Sequence, residues 1–263
     1  MDLGLRDKVA LVAASSQGLG LAVARELAAE GAKLIMCARG EETLKNAAEG
    51  IVAESRAELL AVSGDLTSTD DIDRIVGSGL ARFGKIDILV TNSGGPPSGT
   101  FDTLTSKDWG DAVTGLLTGV TEMSRFVLPG MKERRWGRIL CITSIAARQP
   151  VEGLVLSNSI RAAVTGFAKT LSNEVAELGI TVNTILPGYT ATERVQDLAD
   201  ALARREGVDA SQIRARWEKE IPMRRLARPE EFAALAAFLV SERASYITGS
   251  AIAVDGGWIR STF

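Results

Sequence analysis

Val9-Ala10-Leu11-Val12-Ala13-Ala14-Ser15-Ser16-Gln17-Gly18-Leu19-Gly20, running on through Glu30 to Gly31, is the stretch that decides the fold. Four apolar residues give way to small ones and then to a helical pattern, so a buried strand turns sharply into a helix. Such a turn leaves backbone N–H groups at the helix N-terminus without intrachain partners, aimed outward, and makes an anion seat. Gly18 and Gly20 remove the side chains that would keep a pyrophosphate from the backbone or the helix from its strand. A lone G-x-G suits any tight strand-to-helix turn. The rest of the chain must decide.

Outward from this unit, strand and helix signals alternate to the C-terminus, which implies an α/β fold: a doubly wound, Rossmann-type parallel sheet of seven strands with helices on both faces. Strands are expected at Lys33 to Cys37, Glu58 to Val62, Ile86 to Val90, Arg138 to Ile142, Thr181 to Leu186 and Ala251 to Val254. Helices are expected from Glu41 to Arg56, from a Ser68 cap with Asp71 to near Phe83-Gly84, from Ser106 to Arg134, from Leu154 to Glu177 and from Pro229 to Ser241. Leu156, Ile160, Val164, Phe167, Leu171 and Val175 form a core stripe on the fourth of these, with Ser157 and Arg161 together on another face. Glu193 to Glu220 is charged and helical without core-like apolar density. It reads as an arm or lid, at about 190–222, over a pocket that Arg194, Trp217 and Met223 line.

At 263 residues the chain can bury a full core as one domain, 1–263. A net charge of −3 without a long basic run gives no field for nucleic acid. The first eight residues lack the pattern of a signal peptide and no apolar segment reaches spanning length, so a cytoplasmic protein with no membrane partner is expected. Cys37 and Cys141 fall in core strands and read as buried free thiols. With no histidine and two cysteines, no metal site is expected and a Ser-His-Asp triad is excluded. Tyr246 reads as a packing residue.

Taken together these residues resemble the short-chain dehydrogenase/reductase family over essentially the whole chain, in its 3-oxoacyl-carrier-protein reductase-like branch. Ala13 to Gly20 is similar to that family's T-G-x-x-x-G-x-G, with Ala13 and Ala14 replacing the threonine and first glycine. Thr91-Asn92-Ser93-Gly94 stands at its N-N-A-G, Pro187-Gly188 with Thr192 at its nicotinamide-side loop, and Ile247-Thr248-Gly249 with Asp255-Gly256-Gly257 at its C-terminal signature. The resemblance implies a dinucleotide held by Ser15, Ser16, Gln17, Gly18, Leu19 and Gly20 in the turn, Ala38 and Arg39 after the second strand, and Asp65 and Leu66 after the third. Asn92, Ser93 and Gly94 would follow from the fourth strand, and Arg161, Pro187, Gly188, Thr190 and Thr192 from the nicotinamide side.

An acidic residue at the end of the second strand would bond a ribose hydroxyl and repel a 2′-phosphate. Ala38 followed by Arg39 favours the phosphate, and so NADP(H) over NAD(H). Gln17, where NADP-dependent relatives often carry a basic residue, weakens that preference.

The resemblance also exposes a departure. The family's catalytic serine is matched by Ser144, but its tyrosine position holds Ser157, its lysine position Arg161 and its asparagine position Leu116. A serine hydroxyl is too weak an acid to gain from a neighbouring cation and too short to reach the carbonyl a tyrosine would touch. Arg161 can hold a ribose but cannot give up a proton. Tyr189, beside Pro187-Gly188, is the only tyrosine with a route to the site.

Three possibilities stay open. One is an oxidoreductase of a carbonyl or alcohol, in which Ser144 polarises the oxygen and water or Tyr189 supplies the proton. Another is a cofactor-binding but catalytically impaired regulator or oligomer partner, and a third is a cofactor-free fold. Relatives assemble as dimers or tetramers, so a small-molecule substrate and a homodimer or homotetramer are the expected partners.

Overall fold

Seven strands build the sheet: β1 (Val9–Val12), β2 (Lys33–Ala38), β3 (Leu59–Ser63), β4 (Ile88–Thr91), β5 (Gly137–Ile142), β6 (Ile180–Pro187) and β7 (Ala251–Val254). All neighbours pair in parallel, in the order β3-β2-β1-β4-β5-β6-β7. This computed structural model describes residues 2–262; Met1 and Phe263, the ends of the expected domain, lie outside the described residues. The strands β1, β4 and β5 are buried along their whole length, as continuous apolar runs covered on both faces should be.

The helices are α1 (Gly18–Ala29), α2 (Glu41–Ser55), α3 (Thr69–Phe83), α4 (Ser106–Val113), α5 (Gly119–Arg134), α6 (Val155–Val175), α7 (Glu193–Glu206), α8 (Ala210–Glu220) and α9 (Pro229–Leu239). Alternate residues of β1 point to opposite faces. Ala10 and Val12 join Val23 and Leu27 of α1, Leu44 and Ile51 of α2 and Phe232 of α9 in one core. Leu11 joins Ile72 and Ile75 of α3, Met123 and Val127 of α5 and Val164 and Leu171 of α6 in the other. Each fully buried side chain of this size, Phe232 for example, contributes about 1.5–3 kcal/mol.

Between β1 and β4 the winding reverses, because β2 and β3 are laid to one side of β1 and β4 to β7 to the other. A crevice opens there beyond the carboxyl ends of the strands. Ser68 caps α3 through its hydroxyl, which accepts from Asp71 N at 3.3 Å, and Gly84 (φ 74°) ends that helix.

In three places the structure departs from what the residue pattern suggests. The expected helix from Ser106 to Arg134 is interrupted at Thr114–Thr118 by a π-helical turn, which places Leu116 at the disruption. The helical arm is two helices broken at Gly207 (φ 69°), and against the expected lack of apolar density it has its own small core of Ala199, Ala203, Ile213 and Trp217. Its ends are pinned together, with Ala191 N donating to Ala227 O at 2.8 Å and Ala227 N to Tyr189 O at 3.0 Å. Tyr246 does not pack; it sits fully exposed on the turn before β7. Both cysteines are buried and free.

Candidate functional site

The turn from β1 into α1 is clamped from both sides. Ala13 N donates to Val90 O of β4 at 2.9 Å and Ser15 N to Cys37 O of β2 at 3.0 Å. The reversal between them falls on Ala14, which is forced to φ +47°, and the next reversal on Gly18 at φ +58°. The Ser15 hydroxyl donates inward to Val12 O at 2.9 Å. At Gly20 a Cβ would collide with the Ala14 carbonyl, 2.9 Å from its carbon, so only glycine lets α1 close on the turn. Gln17 caps α1 without a side-chain bond, and the first helical bond is Leu21 N to Gln17 O at 3.3 Å. Among the described residues the N–H groups of Gly18, Leu19 and Gly20 therefore have no acceptor. This uncapped end, with no acidic residue in its first turn, fits the pyrophosphate of a dinucleotide.

Other strand ends reach the same place. Asn92 Nδ2 donates to Ala14 O at 3.4 Å. From beyond β6, the Thr192 methyl lies 3.9 Å from where a Gly18 Cβ would stand. Gly188 N donates to Val254 O at 2.9 Å, and the hydroxyls of Thr190 and Thr192 donate to Gly188 O and Thr190 O at 3.3 and 3.4 Å. These bonds wind the loop after Pro187 back over the turn. Asp65 accepts from Thr67 N and Oγ1, each at 2.9 Å, and Leu66 O lies 2.7 Å from where a Gly119 Cβ would be. Ala38 is buried at the end of β2 while Arg39 is exposed beside Gly40, the cap of α2. Ser93 is half-buried and Gly94 exposed at the start of the loop after β4.

The serine and arginine lie together. Ser144 stands two residues beyond the end of β5 and caps a short 3-10 turn, its hydroxyl accepting from Ala146 N at 3.1 Å. Arg161 on α6 donates from Nη1 to Thr143 O at 2.9 Å and Ile142 O at 3.3 Å, the two carbonyls immediately before Ser144. Burial and the neighbouring Arg194 guanidinium lower its pKa to about 10, so it stays charged at neutral pH. Beside the Arg161 contact the buried Thr143 hydroxyl has no partner among the described residues, and one turn earlier on α6 Ser157 is buried. Leu116 packs with Ala112, Leu156 and Ile160 into an apolar plug beside it.

Tyr189 is held elsewhere. Its ring stacks on Trp217 at 4.6 Å and meets Trp258 edge-on at 6.2 Å. Burial, then the Glu220 carboxylate, push its phenol up to about 12. That makes it a weaker acid than a free tyrosine.

The three arm residues separate. Trp217 is buried against Tyr189, and Met223 lines a cavity of about 400 Å³ with Ala253, Val254 and Asp255. Arg194 alone crosses to the cleft: its Nη2 donates to Pro96 O at 3.1 Å and presses on Gly95, whose Cβ would stand 2.7 Å away. Asn158, to which the residue pattern gives no role, clamps the cleft wall. It exchanges two bonds with the Val151 backbone, at 3.0 and 3.1 Å, while Gly99 N donates to Gly153 O at 2.7 Å. Its only signal is a polar amide in the first turn of a helix.

Comparison with known proteins agrees with this architecture. Residues 13–259 match a family model described as enoyl-(acyl carrier protein) reductase. The chain is 34% identical over 255 residues to the 3-oxoacyl-(acyl-carrier-protein) reductase FabG of Salmonella typhimurium, covering 97% of this chain and 98% of that protein. Among solved structures, L-sorbose reductase from Gluconobacter frateurii, complexed with NADPH and L-sorbose, superposes with a TM-score of 0.95 at 35% identity, over 99% of this chain and 100% of that one. A variant of actinorhodin polyketide ketoreductase with NADPH superposes at 0.93 and 33% identity, over 97% and 98%. Among the described residues no helix is long and apolar enough to cross a membrane.

Proposed function

This chain belongs to the short-chain dehydrogenase/reductase family, and we propose that it is an NADPH-dependent reductase of a small carbonyl substrate, built around Ser144 and Arg161 without a tyrosine acid. The observation that carries this is the docking of the Arg161 guanidinium on the carbonyls of Ile142 and Thr143, the two residues immediately before Ser144 in the chain.

The uncapped N-terminus of α1, with Asn92 and Thr192 closing on it, would hold the dinucleotide, and Arg161 its nicotinamide ribose. Arg39 without an acidic neighbour at Ala38, and the NADPH in the two similar structures, support NADP(H) over NAD(H). The bound cofactor supplies a hydride. Ser144 polarises the carbonyl by donating to its oxygen, and the charge of Arg161 favours the alkoxide that develops there. Ser157, buried one turn from Arg161 on α6, holds a water where the tyrosine ring of relatives would lie, and that water delivers the proton. Tyr189, with its phenol at about 12 and its ring packed between two tryptophans, has no part in the transfer. Positioning of the carbonyl against the nicotinamide carries most of the rate. The outer face of α6, where Ala162, Ala163 and Gly166 are exposed, is the proposed contact of a homodimer or homotetramer, which light scattering would size.

The test is NADPH oxidation across a carbonyl panel. Turnover lost in Ser144→Ala supports the reading, and no turnover with any carbonyl refutes it. A cofactor-binding protein without catalysis is the second reading, favoured by the apolar plug at Leu116. It predicts that Ser157→Tyr with Arg161→Lys gains activity over the native chain.

A further inference from the structure

The segment after β7 is bonded on one side to the arm and on the other to the turn that carries Ser144. Asp255 folds this segment tightly, its two carboxylate oxygens accepting from Gly257 N at 2.9 Å and Ile259 N at 2.8 Å. Trp258 then donates from Nε1 to Glu220 Oε2 at 3.3 Å, at the end of α8 where the arm returns to its neck, and meets the Tyr189 ring edge-on. Two residues further, Arg260 N donates to Gln149 Oε1 at 2.9 Å. Gln149 closes the 3-10 turn that Ser144 caps: its own N–H donates to Ile145 O at 2.9 Å. Its neighbour Arg148 donates from Nη2 to Ala251 O of β7 at 2.8 Å. Ile145 of the serine turn, Ile221 of the returning arm and Trp258 share one apolar cluster. Arg260 is exposed, so water would satisfy its N–H as well as a side chain does, and the Gln149 bond fixes a position rather than rescuing a buried group. What it fixes is the turn whose Ala146 N–H holds the Ser144 hydroxyl. A misplacement of about 1 Å at such a group costs up to about 100-fold in rate.

We propose that Gln149 is a positioning residue for Ser144 and that, through it, the segment from Trp258 to Arg260 couples the arm to the serine turn. Ser144 remains the group that touches the carbonyl, and Gln149 acts only through the turn. The effect on turnover rests on the reductase reading, whereas the coupling stands on the bonds from Glu220 to Trp258 and from Arg260 to Gln149. A substrate that loads the arm is thereby felt at the serine.

Coupling and turnover are measured separately on the full-length protein. Gln149→Met keeps the length of the side chain without the amide acceptor, Gln149→Glu keeps an acceptor oxygen, and Trp258→Phe keeps a ring against Tyr189 without the indole N–H. Hydrogen–deuterium exchange is followed without cofactor or substrate. In Gln149→Met it should quicken about 2- to 10-fold, the range for losing one neutral hydrogen bond, both in the serine turn and in α8. Trp258→Phe should quicken the same two places, with α1, α2 and α3 at native rates in both variants. NADPH oxidation with a carbonyl substrate should then show kcat about 10-fold lower in Gln149→Met and KM for NADPH unchanged. Gln149→Glu should restore kcat, which a role in bulk packing would not predict. Should Gln149→Met fail to fold, Trp258→Phe carries the same test from the arm side.

Faster exchange confined to the serine turn in Gln149→Met and to α8 in Trp258→Phe overturns the coupling. Native kcat in Gln149→Met overturns the positioning role, as does a loss that Gln149→Glu leaves in place. Exchange that quickens in both places, in a protein that turns over no carbonyl, keeps the coupling and refutes the reductase reading. Turnover by a protein whose variants exchange only locally does the reverse.

Discussion

Replacing Ala14 by glycine should make this protein more stable. Ala13 and Ser15 are each bonded to a different neighbouring strand, so Ala14 must reverse the chain between them at φ +47°. The left-handed region costs an L-residue about 1–2 kcal/mol because its Cβ approaches the following carbonyl. Glycine removes that cost but adds about 0.4–1 kcal/mol of unfolded-chain entropy. The net gain is about 0.5–1 kcal/mol. At ~2–4 °C per kcal/mol for a chain of this size, Tm should rise by about 1–4 °C. Scanning calorimetry of native and Ala14→Gly protein is the assay, with Gly18→Ala at φ +58° as the opposite control, which should lower Tm. A fall in Tm for Ala14→Gly would refute the strain argument and with it the view that the turn is dictated from both flanks.

Gly20→Ala drives a methyl into the Ala14 carbonyl, and at the ~1–3 kcal/mol typical of overpacking it should lower Tm and weaken NADPH binding in the same variant; a calorimetric titration that found native affinity would contradict the close approach. Glu231 is held down to about 2, first by the Arg225 guanidinium and then by the Arg228 N–H. Its folded pKa lies below the unfolded value of about 4.3, so its contribution is present above that value and lost as pH falls towards the folded one. Glu231→Gln should therefore lower Tm at neutral pH, and the gap from the native protein should close through this acid window. A gap independent of pH would exclude the charge as its cause. Burial raises Cys37 to about 12 and Cys141 to about 11. Both should resist a thiol reagent at about pH 8 until the chain unfolds, because the thiolate is the reactive form. The unfolded chain sheds these protons from about pH 8.5 and the folded one holds them, so stability falls with pH above that point. Labelling of the folded protein would count against the burial.

The sheet was readable because each strand is an apolar run bounded by its own turn residues, and Gly18, Gly20 and Ser68 carry their geometry in their residue type. The break in the arm had a signal as well: Gly207 followed by Asp209 with Gln212 three residues on is a helix stop followed by a capping box. The π-helical turn had none, since Thr114-Gly115-Leu116-Leu117-Thr118 fits an ordinary helix as well as a widened one. Tyr246 illustrates the same limit, because an aromatic ring in a short turn packs or not according to what lies beneath it. The bond from Arg194 to Pro96 O ties α7 to a loop 98 residues away in the chain, and no local pattern encodes such a meeting.

The bonds that tie Ala191 to Ala227 and Ala227 to Tyr189 give the arm between them a closed neck. Because the closure cost of a loop grows only with the logarithm of its length, about 0.6 kcal/mol per doubling, everything beyond that neck is cheap to lengthen, shorten or exchange. The sheet below does not register the change. In this architecture the arm is an interchangeable part, and two chains that share every strand can diverge in what they accept by grafting a different excursion onto the same neck.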